Sequence, residues 1–119
     1  GYVRLKTGEP VGAAEISIDV EALAVFTHEV ADPTATAQAI DLECLGTPPC
    51  ASPTDSASCP ATSAMVTFDS NGKVARVAPN AQLARNTCYV IVVAEGVEAR
   101  DENVGPLPAD MRSSFYTEL

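Results

Sequence analysis

A chain of 119 residues with 16 acidic and 7 basic side chains has a formal net charge of −9. Nucleic acid and anionic membrane surfaces are recognised through basic patches, so both are excluded as expected partners. Hydrophobic residues make up 46% but aromatics only 5%, with no Trp, so the core must rest on Val, Ile, Leu and Ala.

The length fits one domain, residues 1–119, which should bury roughly 65% of its unfolded surface. Tyr2 to Leu5 reads as an opening strand, and Thr7-Gly8-Glu9-Pro10 as a turn within a first unit, 1–15. Ile16-Ser17-Ile18-Asp19-Val20 alternates apolar and polar residues, the period of a half-buried strand. Ala22-Leu23-Ala24-Val25-Phe26 follows. A helix over Glu21–Glu29 competes there, but the β-branched residues on both sides favour a strand. Asp32 can cap a short helical turn whose first position is Pro33. Ala39 to Cys44 alternates again and puts Ile40, Leu42 and Cys44 on one face.

Residues 45–63 differ: Gly, Pro, Ser, Thr, Ala and Cys dominate, without period. Loops of this length are functional or disordered, and a disulfide inside this one would order it without a core. From Met65 the pattern turns to strands. Met65 to Val77 is a hairpin, with Asn71-Gly72 expected to supply the two positive-φ positions of a type I′ turn. Cys88-Tyr89-Val90-Ile91-Val92-Val93-Ala94 has the composition of a central strand. Phe115-Tyr116-Thr117 closes the chain as a last strand. The fold class is therefore all-β, an antiparallel sandwich with a long insertion.

Four cysteines, Cys44, Cys50, Cys59 and Cys88, form an even set without a CxxC pair. Paired spacing is what zinc sites use, so disulfides and an oxidising compartment are expected. The chain begins at Gly1, and no apolar run approaches the roughly 20 residues of a membrane span. A mature secreted chain, or a segment of something longer, is the expectation.

Side chains for catalysis are scarce. His28 is the only histidine, so no two-histidine metal site or histidine relay can be built; a structural or surface histidine is expected. No serine sits in a Gly-x-Ser-x-Gly elbow. Asp69-Ser70-Asn71-Gly72 resembles the start of a calcium loop but lacks the later Glu, so it is read as a turn. Asp101, Glu102 and Asn103 are weak calcium candidates, and a solvated turn is the expected reading. Tyr2, Tyr89 and Tyr116 are too scattered for a carbohydrate platform; Tyr89 should be core with its hydroxyl at the rim. No enzyme and no cofactor are expected.

Several segments in this order resemble the bacterial immunoglobulin-like domain of the surface-layer-protein type. They are Val25-Phe26-Thr27-His28-Glu29-Val30 with Asp32-Pro33; Ile40-Asp41-Leu42; Val66-Thr67-Phe68; and Val74 to Pro79. Leu83 to Val93, Gly96 to Asp101 and Phe115-Tyr116-Thr117-Glu118 complete the series. The resemblance covers 15–119. The insertion at 45–63 departs from it, as does Asp101-Glu102-Asn103-Val104-Gly105, where the family has a tighter turn.

The resemblance implies an immunoglobulin-like sandwich without catalytic residues. It further implies a structural, spacer or assembly module of a secreted or cell-surface bacterial protein, with a periplasmic site also open. Partners would be other domains or copies of the same or another surface protein. The alternative is an adhesin-like module that binds a glycan or protein receptor through the disulfide-bearing loop, with Pro48, Pro49 and Asp55 as contact residues. In such a sheet the strand ending at Cys44 runs beside the strand starting at Cys88. That implies Cys44–Cys88, leaving Cys50–Cys59 to close the loop. Parity objects, since Cys44 shares a face with Leu42 while Cys88 opposes the inward Tyr89. Cys44–Cys50 with Cys59–Cys88 stays open.

Overall fold

The computed structural model describes the backbone of residues 5–9, and residues 16–46, 59 and 62–118 with their side chains. Among the described residues, seven strands and one short helix run in the order β1 (Leu5–Glu9), β2 (Ala22–Phe26), α1 (Pro33–Gln38), β3 (Ile40–Gly46), β4 (Ala64–Phe68), β5 (Val74–Pro79), β6 (Cys88–Val93), β7 (Met111–Tyr116). One sheet has the order β1-β2-β5-β4, the other β3-β6-β7, and every pairing within them is antiparallel. Sequential strands one, two, five and four against three, six and seven is the immunoglobulin constant-type arrangement.

Alternation builds the core. Ala22, Ala24 and Phe26 of β2 and Ala75 and Val77 of β5 face Ile40, Leu42 and Cys44 of β3, Tyr89, Ile91 and Val93 of β6, and Phe115 of β7. The few aromatics pair within sheets: Phe26 stacks on Phe68 at 5.9 Å, and Tyr89 on its cross-strand partner Phe115 at 6.0 Å. Such pairs add roughly 0.5–1.5 kcal/mol each beyond the area they bury.

The central strand is buried on both faces. Tyr89, Ile91 and Val93 point into the sandwich, while Cys88, Val90 and Val92 form a second apolar cluster with Leu45. A run with no polar alternation is the signature of a strand covered on both sides.

Four local expectations fare differently. Asp32 caps α1, its carboxylate accepting from the Ala35 amide at 3.1 Å with Pro33 at the first turn, as read. The hairpin is present, but its turn is not type I′. Gly72 has φ +67° while Asn71 does not have positive φ. The Gly72 amide donates to the Asp69 carbonyl at 3.1 Å, so Ser70 and Asn71 are the central residues and Gly72 takes the left-handed position after them. Asp69 decides this: its carboxylate accepts from the Lys73 and Val74 amides at 3.1 and 3.2 Å, and this side-chain cap lengthens the loop.

Ile16–Val20 is not a strand. Ile16 makes one parallel bridge to Thr117, and the chain then turns, Val20 donating to the Ser17 carbonyl. The apolar alternation there reflects Ile18 tucking under the core rather than a ladder. Thr7-Gly8-Glu9 is not a turn but lies within β1, paired to Val25, Ala24 and Leu23, with an irregularity between Leu5 and Thr7. The expected strand at Tyr2 to Arg4 lies outside the described residues.

Candidate interaction surfaces

The two ends of the sandwich are built from loops bonded to one another. At one end the segment 27–31 is gripped from both sides. Phe26 and Val30 donate to the Lys73 and Gly72 carbonyls, Ala31 donates to Glu98, and Arg100 donates to Glu29. Glu29 also accepts from the Arg100 guanidinium at 3.2 Å. The Asp110 carboxylate accepts from the Glu95 amide at 2.8 Å and closes the 94–110 loop. Between α1 and Glu95–Glu98 lies a shallow open hollow of about 280 Å³.

At the opposite end the turn before β6 is held by Tyr89 and Thr117. The Tyr89 hydroxyl accepts from the Ala84 amide at 2.8 Å, five residues upstream. This is the arrangement of a tyrosine corner. Buried Thr117 accepts from the Thr87 amide at 3.0 Å and donates to the Ala84 carbonyl at 2.6 Å. The reading of Tyr89 as a core residue with a rim hydroxyl thus finds its partner; Thr117, buried and polar, was missed. Its partners lie 30 and 33 residues away in sequence, so no local pattern announced it.

The open sides between the sheets are partly stitched. Leu42 bridges Thr62 on one side, where α1 packs along β4, and Ile16 bridges Thr117 on the other. Fewer strand edges are left for a partner than seven strands in two sheets would suggest. Met65 on edge strand β4 is the large apolar residue most exposed to solvent among those described, at 63%.

The cysteines depart from expectation. Cys44 is bonded to Cys59, with Cα atoms 5.5 Å apart. This overturns Cys44–Cys88 and Cys50–Cys59, and also the alternative of Cys44–Cys50 with Cys59–Cys88. The reason is parity. Cys44 is paired in register with Tyr89 and points into the sandwich with it, whereas Cys88 is opposite Gly46 and points away. Sulfurs on opposite faces of one sheet cannot meet. Cys88 is itself disulfide-bonded. Pro48, Pro49 and Asp55, the expected contact residues, lie outside the described residues.

Of the other candidates, His28 and Asp101 line one open hollow together with Thr27, Glu29, Lys73 and Arg100. The His28 Nδ1 sits 2.9 Å from the Thr27 hydroxyl, half-buried beside Glu29. Asp101 turns its carboxylate onto the Asn103 amide at 2.9 Å, with Glu102 and Asn103 exposed. Among the described residues no group of three or more His, Cys, Asp or Glu could hold a metal ion. Tyr89 and Tyr116 are on opposite faces of their sheet, so they make no shared stacking platform; Tyr2 lies outside the described residues. The Asp69 carboxyl is held below its ordinary value of 3.8, chiefly by the Val74 amide, with burial opposing and the Lys73 amide adding to the lowering.

No protein-family profile and no curated protein matches the sequence. The fold recurs in a surface-layer protein. Against the S-layer protein rSbsC(31-844) the TM-score is 0.63 at 15% identity, covering 99% of this chain and 14% of that one. Domains 1–6 of surface layer protein SbsC give 0.62 at 16%, again with 99% and 14% coverage. The LD transpeptidase LdtMt1, solved in complex with imipenem, gives 0.60 at 16%, covering 99% of this chain and 41% of that one. At such identities the likeness is one of fold. This chain spans far less than two thirds of each of those proteins.

Proposed function

We propose that residues 1–119 form one immunoglobulin-like module of the surface-layer type. Its role is non-enzymatic: a spacer or assembly unit in a secreted or cell-surface bacterial protein. The observation that carries this reading is the sandwich itself, superposable over 99% of the chain on domains of a surface-layer protein. The loop ends support it, because backbone bonds between separate loops hold them to one another. The Cys44–Cys59 bridge supports an oxidising compartment. No described helix is long and apolar enough to cross a membrane, a statement that leaves β-barrels aside.

The second reading, a module that binds a glycan or protein receptor, is favoured by one observation. The disulfide fastens the root of the 45–63 insertion to a rigid strand, as recognition loops on sandwiches are fastened.

Light-scattering chromatography and negative-stain microscopy of the native protein, with and without calcium, separate the two. Ordered polymers support an assembly unit. A calcium-indifferent monomer that captures a glycan or receptor, and loses it when the insertion is replaced, overturns the structural reading. A monomer that binds nothing supports a tethered spacer.

A further inference from the structure

The 69–74 turn presents an Asn-Gly pair whose chemistry the fold restrains. Asn71 is exposed, and Gly72 has no side chain to shield its own amide nitrogen from the Asn71 carboxamide. In a flexible chain that nitrogen attacks the side-chain carbonyl carbon and closes a succinimide ring. The nitrogen must first be free to lose its proton and to turn toward the carboxamide.

The native turn denies both. The Gly72 amide donates to the Asp69 carbonyl at 3.1 Å. Gly72 is buried, and a Cβ placed on it would lie 2.9 Å from Glu29 Cγ, so its backbone has little room to swing. The Asp69 carboxylate holds the far side of the turn, accepting from the Lys73 and Val74 amides at 3.1 and 3.2 Å. The Gly72 and Lys73 carbonyls in turn accept from Val30 and Phe26 at 2.9 and 2.8 Å.

We infer that Asn71 is a self-modification site gated by the Asp69-capped turn. When the turn opens, the Gly72 nitrogen bonds to the Asn71 side-chain carbonyl carbon. The bond from that carbon to the carboxamide nitrogen breaks, and this nitrogen leaves as ammonia with the Gly72 amide proton. Water then opens the ring. Cleavage at the side-chain carbon leaves an aspartate, and cleavage at the main-chain carbon leaves an isoaspartate. Either product adds negative charge to a chain already at −9. The isoaspartate also lengthens the backbone by a methylene, beside the crowded contact with Glu29. It should therefore break the bonds from Phe26 and Val30 and release the 27–31 segment. The ammonia is lost, so the turn keeps a record of the time it has spent open. The inference holds whether the module spaces, assembles or binds.

The test incubates the native full chain and a blocked peptide of residues 69–74 in mildly alkaline buffer, with ammonia loss followed by peptide mapping and mass spectrometry. Asn71 should react at least about tenfold more slowly in the folded chain than in the peptide, because the turn must open first. It should still react before Asn80, Asn86 and Asn103, whose following residues carry side chains. The slowing should match the hydrogen-exchange protection of the Gly72 amide, since both need that group released. Asp69→Ala that keeps its β-sheet circular dichroism should react several-fold faster than wild type. The isoaspartate form, separated by ion exchange, should exchange its Phe26 and Val30 amides faster than the unreacted chain. Equal rates in chain and peptide overturn the gate, and so does a folded Asp69→Ala that reacts no faster. An Asn71 that outlasts the other asparagines overturns the site. If Asp69→Ala unfolds, the wild type decides: a Gly72 amide that exchanges as fast as the peptide's overturns the proposal.

Discussion

At the scale of single residues, the 69–74 turn shows how a side chain overrides a strong dipeptide preference. Asn-Gly favours a two-residue turn, yet the Asp69 carboxylate captures two amides beyond it and sets a longer one. That bonding lowers the Asp69 pKa below its ordinary 3.8. A folded pKa below the unfolded one contributes stability that is present above the unfolded value and lost as pH falls through the folded value. Urea midpoints of the wild type should therefore decline below about pH 4, and Asp69→Asn should flatten that decline. Equal slopes for the two proteins would refute the assignment. Gly72→Ala places a Cβ 2.9 Å from Glu29 Cγ at φ +67°. The left-handed backbone alone costs about 1–2 kcal/mol, so the urea midpoint should fall accordingly; an unchanged midpoint would mean that the turn relaxes. Tyr89→Phe removes the acceptor of the Ala84 amide and should cost about 1 kcal/mol, measured in the same titration.

At the scale of elements, a covalent bond ties the insertion between β3 and β4 to the end of β3. The Cys44–Cys59 bridge closes a sequence separation of 15. The chain-entropy argument gives it about 3 kcal/mol. Replacing both with Ala should lower unfolding free energy by about that amount while leaving the two sheets intact by circular dichroism. A loss below about 1 kcal/mol would show that the unfolded chain is already restricted there. The element pairs also explain why the bridge is not Cys44–Cys88. Between Cys44 and Gly46 the register slips, so that Cys88 is opposite Gly46. A bulge at the strand end moves the two cysteines apart in register as well as in face.

At the scale of the molecule, the sandwich is bridged on both open sides and its loops are bonded to one another at both ends. Its charge of −9 sets how copies meet. Like-charged copies repel over the screening length, which falls from about 30 Å at 0.01 M salt to about 3 Å at 1 M. Any self-association should therefore strengthen as sodium chloride rises, read by light scattering at constant protein concentration. Association that weakens with salt would point instead to paired charges at the contact, with Glu21–Arg76 on the outer face of the first sheet the pair to examine.

Elements whose signal is local were legible before any partner was known. Alternation placed Ile40, Leu42 and Cys44 on one face, and β-branched density made Cys88–Val93 a central strand. Asp32-Pro33 started a helix because capping needs only neighbours a turn away. The pairing of β3 with β6 followed from the resemblance, not from any single residue. The tertiary structure alone decided what depends on distant partners. Ile16–Val20 alternates but, among the described residues, makes one bridge, Ile16 to Thr117, rather than a strand. The Tyr89 and Thr117 latch joins residues 5 and 33 apart in sequence, and nothing local announces it. Parity of Cys44 and Cys88 was readable along each strand, but which cysteine then approached Cys44 was not. That choice lay with the path of the insertion, whose composition has no period, so only the folded arrangement brought Cys59 to the inner face.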